Sequence, residues 1–234
     1  MKNSKKYIIS SIILAIVAII FTILVKVFDK GAIGPNNTVV GMQIINDYFK
    51  NMFPFNETLY KITKYAGFIP LLLGAFYAII GAIQLVKGKS LKKVDSRIYL
   101  IGGFYILVLI LYIFFEKVAL NYRPVIIDGE LEASFPSTHT LLALCFFVSS
   151  IMVSKYYIKN DILRKVVNIS SVVLMLFIVI GRMICGCHWF TDIIGGVLIS
   201  LALLNIFYAI LLFIEEKEDT DEDNKKHSKK QVED

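Results

Sequence analysis

Charge is scarce in this sequence and unevenly placed. Only 19% of the 234 residues are Asp, Glu, Lys or Arg, against 56% hydrophobic residues, and mean hydropathy is +0.67. A water-soluble fold of that composition would leave apolar surface without a partner, and a disordered chain needs far more charge. Cysteine is scarce too. Cys145, Cys185 and Cys187 are too few for a disulfide framework. Cys185 and Cys187, separated by one residue, are poorly placed to bridge each other, so all three read as free thiols. No Gly-rich strand-to-helix loop suggests a nucleotide site. No dense Asp/Glu/His cluster suggests a metal site; Asp128, Glu130 and Glu132 read as a solvated loop. The pI near 9.1 does not point to nucleic acid, because the basic residues lie in short segments between apolar runs.

Those runs dominate the chain. Tyr7–Val25 has 19 residues without a charge, Tyr65–Val86 has 22 and Ile98–Phe115 has 18; Thr140–Ser154 has 15, Val166–Gly181 has 16 and Ile193–Ile214 has 22. About 20 apolar residues cross roughly 30 Å of hydrocarbon as a helix. Each run is apolar on all faces and none alternates as a membrane strand would. The expectation is an all-α, six-transmembrane-helix bundle over 1–214, with spans at about 7–28, 60–86, 98–120, 138–158, 165–185 and 189–214. Residues 215–234, with five Lys against nine acidic residues, are expected to form a charged, disordered tail.

Orientation follows from Lys and Arg in the connections. From the N-terminus onward they number 3, 2, 5, 1, 4, 0 and 5, an alternation that predicts cytoplasmic N- and C-termini and three outward-facing connections. The first outward connection, Asp29 to Leu59, contains an aromatic stretch at Tyr48–Phe55. It is compatible with a short interfacial helix or an ordinary surface loop.

Ionisable residues gather on the outward side: Lys117, Arg123, His139, Arg182, His188 and Asp192. Such residues are expensive beside apolar spans, and six converging on one membrane face imply a function. His188 and Asp192, four apart, share one face of a helix, so the carboxylate can hold the Nδ1 proton and leave Nε2 as a free lone pair. Arg182 and Arg123 offer planar guanidinium forks to a phosphate. Pro136-Ser137-Thr138-His139 opens the fourth span, where free backbone N–H groups attract anions and Ser137 adds a hydroxyl. His139 is placed to give a proton to a leaving oxygen.

Three segments carry a resemblance. Lys117 to Arg123-Pro124, Pro136-Ser137-Thr138-His139, and Gly181-Arg182 through His188 to Asp192 are similar to the three motifs of the type 2 phosphatidic acid phosphatase family: Lys-x6-Arg-Pro, Pro-Ser-Gly-His and Ser-Arg-x5-His-x3-Asp. Its integral members are six-helix lipid phosphatases related to vanadium haloperoxidases. Three positions depart from the motifs. Lys117 is one residue too close to Arg123, leaving Glu116 in the lysine register; Thr138 replaces Gly; Gly181 replaces Ser.

The resemblance implies a hydrolase of phosphoric monoesters or pyrophosphates, with His139, His188 and Asp192 catalytic. Lys117, Arg123, Ser137, Thr138 and Arg182 would bind the substrate phosphate. It implies a phosphohistidine intermediate, no metal and no cofactor, and a site on the extracytoplasmic side of the cell membrane. The partner would be a lipid phosphate: polyprenyl pyrophosphate, phosphatidylglycerol phosphate or phosphatidate. A lipid phosphotransferase using the same site, or a non-catalytic lipid-binding or transport protein, remains the alternative. Transporters more often place their polar residues near the bilayer midplane.

Overall fold

The computed structural model describes the backbone of residues 2–233 and the side chains of residues 4–221. Among the described residues the chain is helical, apart from isolated β-bridges within loops. Eight helices follow one another: α1 (Lys2–Val27), α2 (Gln43–Met52), α3 (Glu57–Ala66), α4 (Ile69–Gly88), α5 (Ser96–Lys117), α6 (Thr138–Tyr157), α7 (Asp161–Ile184) and α8 (Phe190–Glu233). Six segments are long and apolar enough to cross a membrane, with α3 and α4 counting as one. The chain is therefore a multi-pass membrane protein.

Polar side chains set the helix starts. The side chains of Asn56, Asp95, Ser137 and Asn160 cap α3, α5, α6 and α7 by accepting from backbone N–H groups that would otherwise lack partners. The centre of the bundle is α6, the most buried span, which packs against α4, α5, α7 and α8, while α1 lies along α8. The core joins Ile101, Tyr105 and Val108 of α5 to Leu141, Cys145 and Phe146 of α6 and Phe207 of α8. Tyr105 stacks on Phe146 at 3.8 Å and donates to the Phe146 carbonyl at 3.1 Å. The apolar outer faces of α1, α4 and α7 stay exposed, a surface that suits hydrocarbon and not water.

Three differences from the expected segments have physical causes. The second span, expected over 60–86, extends to Glu57–Gly88 and is interrupted near Gly67. Its first part, α3, carries Lys61 and Lys64 and is amphipathic, so it is a separate helix at the bundle end. The long first connection forms a helix, α2, held by a buried pairing: Asn46 Nδ2 donates to Thr191 Oγ1 at 3.0 Å and the Thr191 amide donates to Asn46 Oδ1 at 3.1 Å. Phe49 stacks on Phe190 at 4.0 Å beside it.

The third difference is at the far end. The last helix does not stop at 214, where a disordered tail was expected to begin. Arg97 is buried and needs a counter-charge; Glu218 and Asp95 supply it, and Lys155 pairs with Glu215 at 3.0 Å. These contacts hold the start of the tail as helix. The side chains from 222 onward lie outside the described residues.

Candidate active site

Helix direction brings the reactive residues to one end of the bundle. The C-termini of α5 and α7 meet the N-termini of α6 and α8 there, and α2 and α3 pack over the same end. The loop between α5 and α6 is pinned to itself: the Arg123 amide donates to the Glu132 carbonyl at 3.1 Å, and the Ser134 amide to the Asn121 carbonyl at 2.9 Å. That pairing fixes Arg123 on one side of the pocket and Ser134 on the other. In the turn between α7 and α8, Gly186 has φ +69° and an added Cβ would lie 2.5 Å from the Phe53 carbonyl oxygen. Only glycine fits that crossing, which places His188 under the segment joining α2 to α3.

His188 and Asp192 meet as their spacing predicts. His188 Nδ1 lies 3.4 Å from Asp192 Oδ2 and 3.2 Å from Ser134 Oγ. Ser134 donates its hydroxyl to Asp192 Oδ2, which also accepts the Trp189 amide at 2.8 Å. The Nδ1–H is thus shared between a carboxylate and a hydroxyl that the same carboxylate orients. On the other side of the ring, Arg182 Nη2 is 3.1 Å from Nε2. A guanidinium can only donate, so Nε2 must carry the lone pair. Ser134 has no place in the spacing of the His and Asp; nothing in the linear sequence marks it out.

Burial and charge keep this imidazole neutral. His188 is held well below the usual imidazole range first by desolvation, then by the positive charges of Arg123 and Arg182, with His139 adding to them.

The two arginines are buried and poorly satisfied. Arg182 is wholly buried and its Nε and Nη1 have no partner; Arg123 is 3% exposed and its Nη1 has none. Arg123 Nε lies 2.9 Å from Glu132 Oε2, an ion pair out of line for a hydrogen bond. Tyr60 of α3 places its ring 5.2 Å from the Arg182 guanidinium and holds it in place. Buried charged donors without acceptors are costly, and several that converge are arranged for an anion from outside.

The remaining predicted residues divide. His139 stands in the first turn of α6 with Nδ1 unpartnered. Its ring fills the space beside Gly67, where a Cβ would come within 2.3 Å of Cδ2. Ser137 caps α6, its Oγ accepting from the Thr140 amide at 3.4 Å and the Thr140 hydroxyl at 3.0 Å; its own amide donates to the Asp192 carbonyl at 2.9 Å. Thr138 is buried and donates to Glu116 Oε1 at 2.7 Å. Lys117 is exposed on the last turn of α5 and pairs with no described residue. Cys185 and Cys187 are free and buried, with sulfurs 3.1 Å apart under Tyr60.

Comparison with known proteins bears on this geometry. A family model described as the PAP2 superfamily matches residues 10–215. A solved structure, described as the first transmembrane PAP2 type phosphatidylglycerolphosphate phosphatase from Bacillus subtilis, superposes with a TM-score of 0.53 at 23% identity, covering 88% of this chain and 96% of that one. At that identity the likeness concerns the fold. No curated protein matches the sequence.

Proposed function

The chain belongs to the PAP2 superfamily, and from that premise we propose that it is an integral membrane lipid phosphate or pyrophosphate phosphatase. It works without metal, through a phosphohistidine on His188, and its site opens on the extracytoplasmic side, as the Lys and Arg distribution favours. The observation that carries this reading is the set of unpartnered buried donors on Arg123 and Arg182 around the lone pair of His188. A phosphate satisfies them all at once.

In the first step His188 Nε2 attacks phosphorus, the bond to the leaving oxygen breaks, and His139 gives that oxygen a proton. Asp192 and Ser134 stabilise the imidazolium character that develops at Nδ1. In the second step His139 takes a proton from water, whose oxygen attacks phosphorus; the N–P bond breaks and inorganic phosphate leaves. Charge on the equatorial oxygens is met by Arg123, Arg182 and the amides at the start of α6, and positioned electrostatics is the main lever for phosphoryl transfer. Before substrate arrives Arg182 covers Nε2 at 3.1 Å. The incoming phosphate oxygens draw it away and uncover the nucleophile. The apolar outer faces of α4 and α7 are exposed, which suits an amphiphile that presents its headgroup at the bundle end while its tail stays in the bilayer.

The test is phosphate release by purified protein in chelator, over a panel of diacylglycerol phosphate, phosphatidylglycerol phosphate and a polyprenyl diphosphate. Release from at least one lipid, lost in His188→Ala, is expected. Turnover retained by a folded His188→Ala protein would remove the nucleophile, and dependence on added metal would remove the metal-free reaction.

A further inference from the structure

Among the described residues, Glu116 is an acidic side chain that touches the site residue Thr138 and has neither a cation nor the catalytic imidazole as partner. Glu132 is paired with Arg123, and Asp192 is bound by Ser134, the Trp189 amide and His188. Glu116 forms no ion pair with any described Lys or Arg; its hydrogen-bond partner is the Thr138 hydroxyl, at 2.7 Å. Thr138 is the first residue of α6, directly after the capping Ser137 and before His139. The start of that helix is where free N–H groups draw the scissile phosphate. The carboxylate is therefore held against the first residue of α6, one position before His139 in the chain.

We propose that Glu116, held by Thr138, is a specificity-determining residue that discriminates against a second anionic group beside the scissile phosphate, so that the preferred substrates are lipid phosphomonoesters whose neighbouring group is neutral. The inference rests on the phosphatase reading above and narrows its substrate class. The physical basis is repulsion. A monoester places its charge among the arginines, whereas the second phosphate of a diphosphate adds charge near the start of α6, where Glu116 is an exposed carboxylate tied to Thr138. At protein-like screening, one such charge within a side-chain length is worth about tenfold in binding.

Glu116→Gln tests this, since the amide oxygen still accepts from Thr138 while the charge is gone; Glu116→Lys reverses the sign. The probes are farnesyl phosphate and farnesyl diphosphate, which share one tail, in the same detergent. The ratio of kcat/KM for diphosphate over monophosphate is expected to rise about tenfold in Glu116→Gln and further in Glu116→Lys. A merely structural role would lower both substrates together and leave the ratio where it was, and either result overturns the inference. Wild-type protein inactive on both probes, on diacylglycerol phosphate and on phosphatidylglycerol phosphate overturns the phosphatase reading, and this inference with it. Wild-type activity with an unmoved ratio overturns the inference alone.

Discussion

Arg182→Lys separates charge from geometry at the centre of the site. The guanidinium is wholly buried, with Nε and Nη1 unpartnered and Nη2 on His188. A lysine keeps the positive charge but replaces a planar set of donors with one ammonium. Two charge-assisted hydrogen bonds to phosphate oxygens are lost, each worth about 1.5 kcal/mol at the lower end of the measured range. The total of about 3 kcal/mol corresponds to about 10²-fold, at about 1.36 kcal/mol per decade. Because the fork meets charge that grows on the equatorial oxygens, most of the loss should appear in kcat. Phosphate release by wild-type and Arg182→Lys protein over a substrate range gives both constants. Thermal unfolding with orthovanadate supplies a reading independent of turnover. Vanadate fills the orphaned donors and should stabilise wild-type protein by about 2.7 kcal/mol at a hundred times its Kd, and much less in the variant. A fall of less than threefold in kcat/KM, or equal stabilisation of both proteins by vanadate, would refute the assignment of the empty donors to phosphate.

Three further outcomes follow from the same geometry. The His188 imidazole is held below its ordinary value, so loss of kcat/KM through protonation of the nucleophile should set in only at pH well below about 6.5; an acid limb centred at or above that value contradicts the buried, neutral ring. The linkage has one sign: the unfolded chain takes up a proton near pH 6.5 and the folded site does not, so His188 favours folding fully above that pH and loses this contribution as pH falls toward the folded value. His188→Asn should flatten the decline in thermal midpoint between pH 7 and 5.5. Gly67→Ala would set a methyl 2.3 Å from His139 Cδ2, displacing the ring. A loss of about 10²-fold in kcat, with unchanged detergent-exclusion profile, is expected from a shift of that size, and near-wild-type turnover would show that His139 has freedom to spare.

The sequence by itself determined the six apolar spans and the pairing of His188 with Asp192. Those properties depend on local periodicity: twenty apolar residues make a span wherever they occur, and four residues make one helical turn. It also singled out Arg123, Arg182 and His139 as candidates, because charge at the end of an apolar run stands out against its surroundings. Span ends were less legible. The break near Gly67 and the helical start of the tail depend on partners far along the chain, such as Arg97 with Glu218 at a separation of 121 residues.

Only the tertiary structure decided which neighbours complete the site. Ser134 reaches His188 and Asp192 through a loop pinned by its own backbone, Tyr60 covers Arg182 from another helix, and Gly67 makes room for His139. It also left Lys117 at the surface and set Glu116 on Thr138. A one-residue shift along a helix turns a side chain by about 100°, so which of two adjacent residues meets the pocket is fixed by how α5 packs on α6, and a motif's spacing does not contain that angle.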